Sequence, residues 1–387
     1  MKGIWKALFA AAVLALVPCG LTACVSMLEP YDPKSVSRET REVRPEVLWA
    51  SLAPDGRSMA IQYHSAKMSG IFLMDIFPSS WPAPGPEQAK PPAMVGLVTA
   101  WLRKDRPRCG HGSPVFSPDG KRIAYVSACG EPHGDIHIMD RDGSNDRRLT
   151  DTPDYDRGPS FTLDGNQIFF VRGQIHSSRS RVVRPGVRDW DIYWADLTTG
   201  AVNALTNKHY YKAGEPQMLP DGKHLLAYLY PIHTDSKHCL WSISLENPDD
   251  EQPITPKLVG LDPREGENVD YCNLYYPILS KDGTQLVFSR IGRSLYFTDM
   301  RTMETRIETP LDIGMLPLAM SPDFNQVFFT TEVEPRRDPK YPPCFSNLWL
   351  YRRDTGEVRR FFIDFSRVAP KPEPAAIPAA GNSSGQQ

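Results

Sequence analysis

Charge of one sign, long hydrophobic runs and the common catalytic signatures are all scarce in this chain of 387 residues. Lys plus Arg number 44 and Asp plus Glu 46, a formal net charge of −2. A dedicated nucleic-acid binder carries a strongly basic surface, so that class is excluded. The apolar run Ala7 to Val17 is too short for a membrane span, which needs about 20 residues. There is no phosphate loop and no dinucleotide fingerprint. No serine elbow sits between a strand and a helix, so an α/β-hydrolase domain is not expected. The 37 prolines work against a mostly helical protein. What is present is length enough for a core, with 41% apolar and 10% aromatic residues, which argues against overall disorder.

Residues 1–23 read as an export signal: Lys2 and Lys6 at the start, then the apolar run. Leu21-Thr22-Ala23-Cys24 follows and resembles a bacterial lipobox. The resemblance implies cleavage before Cys24 and acylation of its sulfur. One acyl chain binds a membrane only marginally, at about 0.8 kcal/mol per buried CH₂, whereas two or three hold it there. Val25, rather than Asp, implies retention at the outer membrane, facing the periplasm. Export places the chain in an oxidising compartment. Residues 24–43 read as a tether, 44–364 as the folded domain, and 365–387, rich in Pro, Ala, Ser and Gln, as a disordered tail.

The folded region repeats. Ser117-Pro118-Asp119-Gly120 leads into Ile123-Ala124-Tyr125-Val126, then Asp135-Ile136-His137-Ile138-Met139-Asp140, then Arg147-Arg148-Leu149-Thr150. The turn returns as Ala53 to Gly56, Thr162 to Gly165, Leu219 to Gly222, Ser280 to Gly283 and, degraded, Ser321 to Phe324. Each of the six copies is followed by two β-like runs. Pro fixes φ in the turn, Asp bonds the backbone ahead of it and Gly accepts positive φ. The second strand is apolar on both sides, so both its faces are buried. Sheets packed face to face around an axis achieve this. The expected fold is all-β, a six-bladed β-propeller of four-stranded antiparallel blades.

The segments Ser-Pro-Asp-Gly, Ile-His-Ile-Met-Asp and Arg-Arg-Leu-Thr of the second copy resemble the TolB-type propeller repeat, and the likeness extends over about Pro45 to Asp364. About twenty residues separate Cys24 from the first blade, so the N-terminal α/β domain of the TolB family is expected to be absent. The resemblance implies a non-catalytic, lipid-anchored scaffold that binds an envelope protein through the propeller, such as a peptidoglycan-associated lipoprotein, with no cofactor.

Chain direction sorts residues onto two faces. Inner strands begin on what we call the front face and end at the Pro-Asp-Gly turns of the back face. The loops between second and third strands, and the links between blades, therefore lie in front. His64, His111, His133, His176, His209, His233 and His238 fall there, with Trp101, Tyr155, Tyr210, Tyr211 and Tyr271. The loop Gly173 to Asp189 carries Arg179, Arg181, Arg184 and Arg188. Exposed aromatics with arginine make partner surfaces, and guanidinium pairs with carboxylate or phosphate. The candidate partner site is Arg179, Arg181, Arg184, Arg188, His176, His209, Tyr210 and Tyr211. A solvated loop is the alternative.

No His-x-His or His-Glu-x-x-His spacing marks a metal site. Asp140, Asp142 and Asp146 depart from calcium-loop spacing and read as turn formers. Some oligogalacturonide lyases use the same repeat family with a metal on the propeller face, and Gln174-Ile175-His176 faintly echoes their ligands. A metal-dependent polysaccharide lyase is therefore the enzymatic alternative, and a glycan-binding propeller a further one. Cys109 and Cys129 fall at the front end of one hairpin, a pairing that would close a loop of about twenty residues. Cys239 and Cys272 could pair across neighbouring blades. An odd cysteine count leaves at least one free thiol.

Overall fold

A computed structural model of the chain describes residues 46–64, 68–76, 94–102, 110–129, 133–176, 186–230, 240–258, 274–290, 294–311, 314–331 and 345–362. The leader, the tether with Cys24, the tail, Cys109, Arg179, Arg181 and Arg184 lie outside them.

Every regular element among the described residues is a strand, and the strands form six sheets. Blade 1 holds β1 (Glu46–Leu52), β2 (Ser58–His64), β3 (Met68–Asp75) and β4 (Met94–Leu102). Blade 2 holds β5 (His111–Phe116), β6 (Arg122–Ser127), β7 (Asp135–Asp140) and β8 (Arg147–Arg148). Blade 3 holds β9 (Tyr155–Phe161), β10 (Gln167–His176), β11 (Gly186–Asp196) and β12 (Val202–Ala204). In blade 4 the inner strand is broken into β13 (Lys212–Ala213) and β14 (Gln217–Met218), followed by β15 (His224–Tyr230), β16 (Leu240–Ser244) and β17 (Glu251–Pro253). Blade 5 gains a rim strand, β18 (Lys257–Leu258), parallel to β22 (Glu304–Glu308), beyond β19 (Leu274–Leu279), β20 (Gln285–Arg290) and β21 (Leu295–Asp299). Blade 6 holds β23 (Met315–Met320), β24 (Gln326–Thr331), β25 (Phe345–Arg352) and β26 (Glu357–Phe362). The expected six-bladed propeller is what the chain forms.

Second strands are the most buried, as their unbroken apolar runs require. Along β6, Ile123 and Tyr125 pack towards blade 1 while Ala124 and Val126 pack towards blade 3. Successive residues point to opposite faces of a sheet, so one strand serves two seams. Six apolar clusters result, and each draws on two neighbouring blades. One of them joins blade 6 to blade 1, with Val47, Ile61 and Phe72 against Phe328, Leu348 and Phe361. Blade 6 supplies its own outer strand, so this seam closes the ring by packing rather than by a shared strand.

The back-face turns are built by hydroxyl and carboxylate. Ser117 Oγ donates to Asp119 and accepts from Arg122 N at 2.9 Å. Thr162 with Asp164, Ser280 with Asp282 and Ser321 with Asp323 repeat the device. Gly283 takes φ +68°, and a Cβ there would lie 2.4 Å from Pro220 of the preceding blade. Phe324 holds the same turn position in blade 6 at φ +58°.

Inner strands carry bulges, at Val47/Trp49, Gly112/Val115, Tyr275/Ile278 and Pro317/Ala319, and opposite Phe169/Val171 in blade 3. Pro114, Pro159, Pro277 and Pro317 stand at these places. An inner strand is an edge strand lining the channel, so a missing N–H there forfeits no ladder bond.

Candidate functional site

The front face of blades 3 and 4 is shaped by the connection that leaves blade 3. Thr206 Oγ1 accepts from Ile192 N and donates to Asp191, both at 2.9 Å. The Asp191 carboxylate then accepts from Lys208 N at 2.7 Å and from His209 N at 3.2 Å. Four residues are thereby wrapped around one acid, with His209 in the left-handed region at φ +56°. Trp190 and Tyr210 exchange two main-chain bonds of 2.9 Å, which lays the link along β11 of blade 3. The same carboxylate and hydroxyl recur in blade 2, where Thr150 Oγ1 accepts from Ile136 N at 3.0 Å and donates to Asp135 at 3.4 Å.

Tyr210 corrects the sequence reading. It was expected as an exposed aromatic, yet it is 3% exposed and packs in the seam between blades 3 and 4. Its hydroxyl donates to the Glu251 carboxylate. Burial, and then that carboxylate, push the phenol's pKa far up. The reason is the period of extended chain: Tyr210 faces in, so Tyr211 faces out. Tyr211 is 57% exposed, and its ring lies 5.7 Å from that of Tyr230 at 60°. Tyr211 N donates to Tyr230 O at 2.8 Å. Tyr230 went unnoticed in the sequence; it closes the apolar run of β15, where the strand surfaces at the front.

Arg188 is exposed at the start of β11. His176 Nε2 lies 2.8 Å from Asp189 Oδ2, and His209 Nδ1 lies 3.2 Å from Asp191 Oδ2. Lys208 Nζ sits 3.1 Å from Asp249 and 3.5 Å from Glu251. Burial pulls its pKa down, but these two acids more than offset that and hold it above its ordinary value. His111 and His133, placed by the sequence on front-face loops, are buried. Beside these residues, Tyr155 packs edge-on to Trp190, and the Arg157 guanidinium lies over the Trp190 indole, 4.3 Å from the ring centroid.

Towards the axis, Trp49 of blade 1 meets Tyr276 of blade 5, with ring centroids 5.3 Å apart at 63°. Blade 6 stands between these blades in the ring, so the contact passes in front of it, inside the channel. Tyr276 holds φ +52°, a conformation that costs energy in a non-glycine residue.

Cys129 is disulfide-bonded, and His111 Nε2 lies 3.0 Å from its sulfur. Ala128 N donates to Gly110 O at 2.8 Å, which brings the chain next to Cys109 alongside. Asp140 and Asp142 accept from Asn145 and Ser144 within their own turn, as turn formers do. Asp146 accepts instead from the buried Tyr125 hydroxyl at 2.8 Å. Among the described residues no group of three or more His, Cys, Asp or Glu side chains could hold a metal ion. Gln174 and His176 are both exposed on β10 and do not build such a set.

No family model matches the chain. A dipeptidyl-peptidase 5 of Arthroderma otae is 27% identical over 169 residues, covering 40% of this chain and 22% of that protein. The chain thus spans about a fifth of the length of the curated relative it matches. TolB of Acinetobacter baumannii superposes with a TM-score of 0.51 at 18% identity, over 84% of this chain and 65% of that one. An oligogalacturonate lyase in complex with manganese gives a TM-score of 0.47 at 14% identity, over 82% and 77%. At these identities the likeness is one of fold.

Proposed function

We propose that this chain is a lipid-anchored propeller of the bacterial envelope that captures a protein partner on the front face of blades 3 and 4, without catalysing a reaction. The observation that carries the reading is the Tyr211–Tyr230 pair. Three large hydrophobic side chains are exposed among the described residues, and these two of them touch. Paired exposed aromatics on a rigid scaffold are the usual material of a binding hot spot. His209 and Arg188 add polar groups at the edge, as a rim requires. The lipobox at Leu21 to Cys24 and the fold shared with TolB support an envelope setting, and a peptidoglycan-associated lipoprotein is the partner class the sequence resemblance suggests.

The test is a photoreactive amino acid at position 209, exposed two residues from Tyr211, in intact cells, with crosslinked products identified by mass spectrometry. A discrete adduct that vanishes in the Tyr211→Ser/Tyr230→Ser variant is expected. Crosslinking unchanged by the Tyr230 substitution, or a diffuse smear, would refute the reading. Cys24→Ser should release the protein from the membrane fraction. Elemental analysis of the purified chain addresses the lyase alternative, and no stoichiometric manganese or zinc is expected.

A further inference from the structure

Four acids of blades 3 and 4 already have local donors. Asp189 has His176, Asp191 has His209, and Asp249 and Glu251 share Lys208. Arg157 is a cation of these blades that none of those acids reaches. Arg157, half-buried at the front end of β9, donates Nη2 to Ala213 O across the seam. Its Nε is buried with no acceptor among the described residues. No carboxylate among them comes within ion-pair distance; Glu215, whose side chain crowds Gly158, forms no such pair.

Other arginines stacked on rings in this fold set the standard. Arg141 over Phe116 reaches Asp55 at 3.6 Å, Arg172 over Tyr193 holds Asp156 through two bonds of 2.7 and 2.8 Å, and Arg353 over Phe297 reaches Glu308 at 2.8 Å. Arg122, over Phe161 on the back face, feels the charge of Asp119. A stacked, partly desolvated guanidinium with no anion is an unfinished pair.

We infer that Arg157 is the anchor for a carboxylate brought by the partner, and that the partner presents an acidic peptide segment. The inference rests on the reading that this face captures a protein. With Nε buried, the aspartate or glutamate forks onto the outer edge formed by Nη1 and the second N–H of Nη2, and an apolar side chain two residues away lies on Tyr211 and Tyr230. Spacing favours this. Arg157 is tied to Ala213, and Tyr211 is two residues of extended chain away, about 7 Å. Side chains i and i+2 of an extended peptide stand the same distance apart on one side. A polyuronate fits less well, because it carries no apolar side chain to lie on Tyr211 and Tyr230.

The test is selection of random heptapeptides displayed on phage against the full chain, its Arg157→Gln and Arg157→Lys variants, and the Tyr211→Ser/Tyr230→Ser variant. Wild type should enrich sequences with Asp or Glu two places from an apolar residue. Arg157→Gln should keep the apolar preference and lose the acidic one. A synthetic winning peptide should bind wild type at least tenfold more tightly than its Glu→Gln form, and Arg157→Gln equally with both. If Arg157→Gln fails to fold by its melting curve, Arg157→Lys carries the test: it keeps the charge without the fork and should weaken binding partway. Tri-galacturonate is the competing arm; displacement of the peptide at matching concentrations would overturn the peptide assignment. No enrichment, or an acidic preference unchanged in the arginine variants, would overturn the inference. Tyrosine-dependent peptides with no acidic position would overturn it while leaving partner capture intact.

Discussion

Asn347 and Val47 stand 300 residues apart and hold each other by two hydrogen bonds: Val47 N donates to Asn347 Oδ1 at 2.7 Å, and Asn347 Nδ2 donates to Val47 O at 3.1 Å. Both residues are buried. Residues in or beside the third strand do this work elsewhere too. Asp191 folds the link to blade 4, and Gly134, beside Asp135, accepts from Asp156 N of blade 3. At the last seam no covalent link backs it up, so one side-chain amide and the surrounding apolar cluster close the ring.

Asn347→Ala leaves the Val47 N–H and C=O buried and unpaired. An unsatisfied buried group costs about 1–3 kcal/mol, so a loss of about 2 kcal/mol or more is expected in urea unfolding. Hydrogen exchange should speed up first at β1 and β25, on either side of the seam.

Phe324 sits in the left-handed region at φ +58° where the five other turns place glycine at +66° to +74°. That conformation costs a side-chain-bearing residue roughly 1 kcal/mol. Phe324→Gly should therefore raise stability by about 1 kcal/mol, read as a higher denaturant midpoint with an unchanged slope.

The turn carboxylates give the acid limb a definite sign. Ser117 Oγ foremost holds the Asp119 carboxyl below the usual range, and Thr162 Oγ1 does so for Asp164. For Asp282 burial opposes, but Thr284 N and Ser280 Oγ prevail. A depressed folded value contributes stability that is complete above the ordinary pKa of 3.8 and is lost as pH falls through the folded value. Stability should decline below about pH 4. The triple variant Asp119→Asn, Asp164→Asn, Asp282→Asn should show a shallower decline in denaturant midpoints taken between pH 5 and pH 2.5.

Tyr210 and Tyr211 should separate stability from binding. Tyr210→Phe removes a buried hydroxyl from Glu251 and is expected to cost about 1–2 kcal/mol while leaving partner capture unchanged. Tyr211→Ser should do the reverse: an unchanged melting temperature and weaker crosslinking.

Digestion without reductant should yield a peptide joining Cys129 to Cys109. Breaking it by Cys129→Ser should lower stability by about 3 kcal/mol, the loop-closure value for a loop of about twenty residues. A map pairing Cys129 with any other cysteine would refute the assignment.

Much of the architecture was written locally. The Pro-Asp-Gly turn and the doubly apolar second strand recur every copy, because each blade solves the same problem with the same residues. Period and turn chemistry are properties of adjacent positions, so they survive in one dimension, and blade number and chain direction followed from them. Which neighbour a side chain meets across a seam is not local. Tyr210 and Tyr211 are the same residue type in succession, and only the bond pair with Trp190 decides that the first is core and the second surface. Tyr230 joins Tyr211 from nineteen positions on, in the same blade. Arg157 looks like any polar residue beside a Gly-Pro pair until its seam is assembled and found to contain an indole and a carbonyl but, among the described residues, no paired acid. Nor could Asn347 be read as the clasp of the ring, since its partner is the start of the domain. Local sequence determined what each blade is; the closing of the ring decided which groups it left exposed and which charge it left unbalanced, because burial and pairing are settled between blades rather than along the chain.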